Sequence, residues 1–274
     1  MASGRSKQPN RFMDDFLTSA PLPKAVLANP IVLPRPVEEM APRILEALTR
    51  LYGDYGVRSV IVANLDLARS IKQALPQFTV AASTLMGIST PAQALMVRDH
   101  VDVLTPDTRL VRDLRGLKRL RKAFAGQLRL LVNEACLPGC PHRTQHFYEM
   151  GYGTHFPQSL CQQTLSEHPW LRLTGAWVLP RHLAHYDGVY DSLKLSGRVT
   201  LRDRVNYLNV LQAYVHRRPI LPRDIGGGPA SVLEAVDISD QWFAFTLNCD
   251  KNCHACSVCR DYYEQAIAKK GGAL

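Results

Sequence analysis

Short apolar segments alternate with amphipathic segments of helical period along this 274-residue chain, and this alternation most constrains its fold. Strands that are joined through helices run parallel in one sheet, so the pattern predicts an α/β fold. The number of strand candidates favours a TIM-like (β/α)8 barrel, complete or incomplete, over an open doubly wound sheet. The strand candidates are residues 31–33, 59–63, 78–82, 101–104, 128–132, 171–178, 192–195 and 242–247.

Polar residues follow several of these predicted strands. Chemistry in barrels of parallel strands is found where the strands end, so these residues are candidates for a functional site. They are Asn64, Ser83, Thr84, Asn133, Glu134 and residues 194–198.

Two cysteines follow the predicted strand 128–132 almost at once. Pro138 and Gly139 lie between Cys136 and Cys140, where they disfavour a helix and favour a tight turn. Such a turn could direct both sulfur atoms to one point, as a metal-ligand loop requires. The simpler alternative is a pair of core cysteines beside a surface turn.

Four more cysteines lie within eleven residues near the C-terminus: Cys249, Cys253, Cys256 and Cys259. The N-terminus lacks the apolar stretch of a secretion signal and no run of eighteen apolar residues occurs, which predicts a cytoplasmic protein without a membrane span. In a reducing compartment, clustered cysteines indicate metal binding rather than disulfides. The Cys-x-x-Cys-x-x-Cys spacing matches the core of bacterial ferredoxins, and zinc is the alternative for this tail.

The formal charge of +9 is compatible with binding to nucleic acid or to an anionic small molecule. Eight of the basic residues fall between Arg109 and Arg129, mostly on one predicted amphipathic helix. A solvated helix face explains such a cluster more simply than an RNA site does.

The pattern divides the chain into three parts. Residues 1–22 lack periodicity and are predicted to form a flexible arm, residues 23–248 the barrel, and residues 249–274 a Cys-rich metal-binding tail. An irregular stretch over residues 147–170 contains Cys161. A long loop there could return this cysteine to the neighbourhood of Cys136 and Cys140.

The residues around the first two cysteines read Leu131-Val-Asn-Glu-Ala-Cys-Leu-Pro-Gly-Cys-Pro-His-Arg-Thr-Gln-His146. This segment resembles the cysteine motif of peptidase family U32, the collagenase-like proteins. The resemblance covers most of residues 57–214 and includes Ser192-Leu-Lys-Leu-Ser-Gly-Arg198, which is similar to the family's Leu-Lys-Ile-Glu-Gly-Arg segment. The tail resembles that of a short subgroup with a Cys-rich C-terminus.

The resemblance implies a TIM-like barrel with an oxygen-sensitive 4Fe–4S cluster. Relatives include oxygen-independent hydroxylases of ubiquinone precursors, transfer RNA and ribosomal RNA, some of which take the oxygen atom from prephenate. By position, Cys136, Cys140 and Cys161 match cluster ligands. The family's fourth cysteine lies shortly before the Lys-x-x-Gly-Arg segment, and residues 182–191 contain none.

Three solutions to the missing ligand remain open. Cys249 or another tail cysteine completes the set, the cluster keeps one open iron, or the tail holds a second cluster. In addition, Ser196 replaces the family's glutamate, so a role for that carboxylate is in doubt.

The leading hypothesis is an iron–sulfur enzyme that hydroxylates, or transfers an oxygen atom to, a small aromatic or anionic metabolite or RNA. The alternatives are a collagenase-like protease, for which the sequence lacks a Gly-x-Ser-x-Gly or His-Glu-x-x-His motif, and a non-catalytic RNA-binding or scaffold protein.

The shortness of the chain for its family leaves room for a heteromeric partner of the same family. Candidate residues for anion binding and proton transfer are His142, Arg143, His146, Lys194 and Arg198.

Overall fold

The computed structural model describes residues 11–134, 136–151, 160–196, 204–225 and 238–271. Six strands in these residues form one parallel sheet, and each strand pairs with the next strand in sequence. A doubly wound sheet would reverse this order at a switch point, whereas a barrel keeps it. The strands are β1 (Lys24–Ala28), β2 (Val57–Val62), β3 (Thr79–Ala82), β4 (Val103–Leu104), β5 (Gln127–Leu131) and β6 (Ser192–Lys194).

The predicted α/β class and its parallel strands are therefore confirmed, but the eight-stranded barrel is not. Strands β1 and β6 are the two edges of the sheet in the described residues, which gives a curled half-barrel. The central strands are apolar and buried on both faces, as parallel strands covered by helices require. Val60, Val80 and Leu104 are fully buried there and anchor the main core.

Ten α-helices surround this sheet in the described residues, and several begin at side-chain caps. Asn64 accepts a hydrogen bond from the Leu67 amide, and Thr90 forms a capping box with Gln93. Asp113 caps the basic helix through the Gly116 amide at 2.8 Å. The helices are α1 (Arg11–Ser19), α2 (Val37–Tyr55), α3 (Leu65–Ala74), α4 (Pro91–Val97), α5 (Leu114–Ala123), α6 (Arg143–Gly151), α7 (Leu160–Glu167), α8 (Arg204–His216), α9 (Asp240–Thr246) and α10 (Val258–Gly271).

Three predicted strands are wrong. Residues 31–33 form no strand, and β1 lies earlier, between Pro23 and Pro30. Residues 171–178 begin within a 3-10 helix, Pro169–Thr174, which starts at a proline. Residues 242–247 belong mainly to α9, where Ser239 caps the helix and the buried positions recur at helical spacing.

The Cys-rich tail is attached to the rest of the fold. Helix α10 packs against the 3-10 helix Pro169–Thr174. Tyr262 stacks on Trp242 with ring centroids 4.9 Å apart, and its hydroxyl accepts a hydrogen bond from the Ser239 amide at 2.9 Å. The cysteines that precede α10 are thereby held against the core.

The predicted N-terminal arm includes helix α1, and Tyr55 donates a hydrogen bond from its hydroxyl to Asp14 at 2.7 Å. Residues 1–10 lie outside the described residues, so the division into arm, barrel and tail stays a prediction. Among the helices that the structure describes, none has the length and apolar character needed to cross a bilayer.

Candidate metal centre

The polar residues that follow β2, β3 and β5 mainly hold the fold together. Asn64 caps α3, and Thr84 donates a hydrogen bond to the Pro106 carbonyl at 3.0 Å. The buried Asn133 amide donates to the carbonyls of Ser196 and Ile225 and accepts from the Ser196 amide. Through the bonds to Ser196, the side chain of Asn133 connects the ends of β5 and β6.

The first cysteine pair lies in the tight turn that the sequence predicts. Gly139 has a left-handed φ of 70°, and the Cys140 amide donates to the Leu137 carbonyl at 3.1 Å. The Cys136 amide donates to the Glu134 carboxylate at 3.2 Å. Burial, followed by the negative charge of Glu134, raises the pKa of the Cys136 thiol to about 12.

Arg143, a predicted anion-binding residue, lies beside this turn, and its amide donates to the Cys140 carbonyl at 3.1 Å. Its guanidinium lies 3.6 Å from the Glu134 carboxylate, and the two side chains are 11% and 15% exposed. The guanidinium also lies over the Phe147 ring, 4.9 Å from its centroid. Both terminal nitrogens of Arg143 lack a hydrogen-bond acceptor within the described residues, because 3.6 Å is too long for a hydrogen bond.

The two predicted proton-transfer histidines flank Arg143 in sequence. His142 and His146 are half-buried, and the His146 amide donates to the His142 carbonyl at the start of α6. The His146 ring stacks on Phe147, with centroids 5.5 Å apart. Both histidines follow the Cys136–Cys140 turn closely in sequence, and their roles in proton transfer stay predictions.

All four tail cysteines line one cavity of about 260 Å³. Burial, and then the nearby Cys249 and Cys256, raise the pKa of Cys253, and Cys249, Cys253 and Cys256 contribute in the same direction at Cys259. Burial raises the pKa of Cys259 to about 11. The Lys251 amide donates a hydrogen bond to the Cys249 sulfur at 3.3 Å.

This tail cavity lies at the same end of the sheet as the first cysteine turn. Leu137 and Pro138, from between Cys136 and Cys140, form part of its wall. The Leu114 amide donates to the Leu247 carbonyl at 2.9 Å, and Lys251 donates from its side chain to the Arg109 carbonyl at 3.0 Å. The segment after β4 thus fixes the base of the tail beside the end of β5.

Arg112 is a residue of this cavity that the sequence did not single out. It is only 5% exposed, and it donates hydrogen bonds to the Thr246 hydroxyl and to the Leu173 carbonyl. Its guanidinium lies over the Phe243 ring, 4.4 Å from the centroid, and its Nε has no hydrogen-bond partner in the described residues. No signal in the sequence separates it from the exposed basic residues that follow it.

The charge of Arg112 has no acidic side chain to balance it in the described part of the chain. Burial lowers the pKa of its guanidinium, and interactions with Tyr186, Cys259 and Cys249 act in the opposite direction. An arginine keeps its proton in proteins even so. The cavity is therefore lined by a buried cation as well as by the tail cysteines.

The remaining predicted site residues lie on other elements. Cys161 is half-buried on α7, and Lys194 ends β6, where its carbonyl accepts from the Val132 amide. Arg198 lies outside the described residues. No three His, Cys, Asp or Glu side chains in the described ranges converge at metal-binding distance, so the predicted ligand sets remain predictions.

Comparisons with known proteins identify few relatives. No protein-family model matches the chain. An uncharacterized protease of Methanocaldococcus jannaschii is 25% identical over 188 residues, which cover 62% of this chain and 55% of the relative. The chain thus spans about half the length of that curated relative. A solved structure of a U32 peptidase has a TM-score of 0.47 and 18% identity, and the match covers 63% of this chain and 68% of that one.

The curated relative is compatible with the resemblance carried by the cysteine motif. That relative is designated a protease, and the motif around Cys136 and Cys140 resembles the one found in a family of peptidases. The chain is thus similar in sequence to a designated protease and resembles peptidase family U32 in this motif.

Proposed function

We propose that this chain is an iron–sulfur enzyme that hydroxylates, or transfers an oxygen atom to, a small anionic or aromatic molecule or an RNA without using dioxygen. The observation that carries the proposal is the tail cavity, which four thiols line at the end of a parallel sheet. Active sites of barrels lie at this end of the strands. The position of the tail cavity therefore supports the chemistry that the family resemblance implies.

The donor set of the tail cavity is of the kind that a thiolate-bound metal group needs, although the four side chains would have to move closer together to bind one. Four sulfur donors match both a 4Fe–4S cluster and a structural zinc ion. Thiols must lose their protons to bind metal, and the raised pKa of Cys259 means that metal binding would release protons at neutral pH. The buried charge of Arg112 favours the same deprotonated state, because it attracts thiolates.

The first cysteine turn supports a neighbouring site for an anionic substrate. Arg143 has terminal N–H groups without acceptors, and a guanidinium can bind a carboxylate or phosphate through two hydrogen bonds. When bound, an iron–sulfur cluster would supply the redox chemistry. Arg143 would orient the substrate, and His142 or His146 would hold or release a proton beside it.

Metal and sulfide analysis of anaerobically purified protein tests the first half of this proposal. We expect a brown protein with iron and acid-labile sulfide in equal amounts. Stoichiometric zinc without iron would contradict an iron–sulfur enzyme and would support a structural metal site.

The second half is tested in cells that grow without oxygen. Metabolites and RNA nucleosides are compared between cells with the wild-type chain and cells with Arg143→Gln. We expect a compound with one additional oxygen atom in the wild type and its precursor in the variant. Lys118→Gln, on the exposed face of α5, is the matched control for loss of a positive charge.

A protease remains the second candidate, because the matched relative from Methanocaldococcus jannaschii carries that designation. Hydrolysis of denatured collagen by iron-free protein would support this candidate. We expect no cleavage above that of a Cys136→Ser variant, since the chain lacks the two hydrolase motifs sought in its sequence.

A further inference from the structure

Arg112 provides a fixed positive charge beside the tail cysteines, and it is not part of any predicted ligand set. It lies just before the cap of α5, on the segment that is hydrogen-bonded to the base of the tail. Three aromatic rings surround its guanidinium: Trp177, Trp242 and Phe243. These contacts hold the charge in one position within a region of low polarity.

A buried cation normally needs an anion close by. Taking a guanidinium out of water is unfavourable unless it is paired with an anion and hydrogen-bonded. Arg112 donates hydrogen bonds to the Thr246 hydroxyl and the Leu173 carbonyl and packs on aromatic faces, but no carboxylate pairs with it among the described residues. The tail cysteines line the same cavity as Arg112, so an anionic group bound by their sulfur atoms would lie beside the guanidinium.

We infer that Arg112 is the counter-charge of a metal group bound by Cys249, Cys253, Cys256 and Cys259, and that it raises the reduction potential of a cluster held there. This inference rests on the proposed function. Four thiolates around a 4Fe–4S cluster or a zinc ion leave a net negative charge. That charge pairs with the guanidinium, and the pairing strengthens when the cluster accepts one more electron from an external reductant.

Other charges near the cavity are placed less favourably for this role. Lys251 lines the cavity, but it is exposed, and its ammonium group donates to the Arg109 carbonyl. Asp250 carries the opposite charge, and it contributes to the raised pKa of Cys253. Solvent screens both groups more strongly than it screens the buried Arg112.

The experiment uses the full chain with its cluster reconstituted from iron and sulfide under anaerobic conditions. The reduction potential is measured by titration with dithionite, for wild type, Arg112→Met and Arg112→Lys. Removal of the charge in Arg112→Met is expected to lower the potential, whereas Arg112→Lys keeps the charge and should stay close to wild type. Lys118→Met removes a charge from the exposed face of α5 and should leave the potential unchanged.

Cobalt binding to the metal-free chain gives a second readout. The tetrathiolate absorption bands of Co²⁺ report occupancy of the tail site, and we expect Arg112→Met to weaken binding on the order of tenfold. Arg112→Lys should restore most of the affinity. A loss of binding in both variants with an unchanged fold would show that the guanidinium shape, rather than its charge, matters and would overturn the inference.

The outcomes separate this inference from the proposed function. A wild-type chain that takes up neither iron nor cobalt refutes the proposed metal site itself. A wild-type cluster with the same potential and metal affinity in Arg112→Met refutes only the role of Arg112. If neither Arg112 variant accumulates as folded protein, the residue is needed for packing, and that result also overturns the inference.

Discussion

The two cysteine-bearing regions of this chain differ in how their charges are balanced. At the Cys136–Cys140 turn, the buried cation is Arg143, and Glu134 lies 3.6 Å from it. In the tail cavity the buried cation is Arg112, and no carboxylate pairs with it within the described residues. The turn thus has a carboxylate beside its buried cation, whereas under our proposal the tail would acquire a balancing negative charge when its thiols bind metal as thiolates. Both regions contain cysteines, but they differ in whether a carboxylate lies beside the buried arginine.

The largest expected effect is on metal content. Cys253→Ser should abolish the metal group of the tail, because it removes one of four sulfur donors. Cys136→Ser should leave that group in place, since Cys136 is not part of the tail wall. Iron and sulfide analysis of both variants checks this.

Ala255→Ser is the matched control, because it adds a hydroxyl to the same loop without removing a sulfur. Equal iron loss in Cys136→Ser and Cys253→Ser would show that the two regions bind one shared cluster. That result would contradict the claim that the tail cysteines bind a metal group without Cys136.

The next effect is a pH dependence on the tail side of the molecule. His182 is buried, stacks on Phe243 at 3.9 Å, and lies near Arg181, His185, Arg112 and Asp240. Burial, followed by the charge of Arg181, lowers the pKa of His182 from 6.5 to about 4 although the exposed Asp240 lies 3.0 Å from it. The histidine is therefore neutral at pH 7, and its contact with Asp240 is not an ion pair at that pH.

The sign of the effect follows from linkage. Between pH 6.5 and about 4 the unfolded chain binds a proton at this histidine and the folded chain does not. As the pH falls from 6.5 to about 4, the free energy of unfolding should therefore decrease by about 2–3 kcal/mol. Above pH 6.5 the protein should keep this whole contribution to its stability. Urea unfolding at several pH values measures this change in stability. The His182→Gln variant should show a weaker dependence of the free energy of unfolding on pH. His185→Gln, at an exposed position, is the control and should keep the wild-type dependence.

A smaller effect is expected at the first turn. Glu134→Gln leaves the mostly buried Arg143 without its carboxylate, which should destabilise the fold by about 2 kcal/mol, less than a fully buried pair because both groups retain some exposure. Glu149→Gln, on the exposed side of α6, is the control. Thermal or urea unfolding measures the difference. If Glu134→Gln destabilises the fold no more than this control does, Glu134 does not balance the charge of Arg143.

The smallest effect concerns backbone conformation. Gly139 has φ of 70°, and an added Cβ would lie 3.5 Å from Cδ of Arg109, an ordinary contact. Gly139→Ala should therefore cost only the left-handed strain, about 1 kcal/mol. Gly53→Ala, within α2, should instead be neutral or stabilising in the same unfolding measurement, because nothing lies within 4 Å of its added Cβ.

The sequence predicted the strands β2 to β5 because each is a short, mainly apolar segment between helical patterns, and it also predicted the more polar β6. It failed for residues 242–247, since a short aromatic segment has no clear period and Trp242 and Phe243 fit a helix as well as a strand. It also failed to place Arg112, because burial of one arginine among many depends on which distant rings pack around it. The cysteine turn was predicted since Pro138 and Gly139 encode it locally.

An anaerobic crystal structure with anomalous scattering at the iron edge tests the central claim most directly. We predict an iron peak in the cavity bounded by Cys249, Cys253, Cys256 and Cys259, with the guanidinium of Arg112 facing it. Iron at the Cys136–Cys140 turn with none in the tail, or a zinc peak in the tail, would contradict the account.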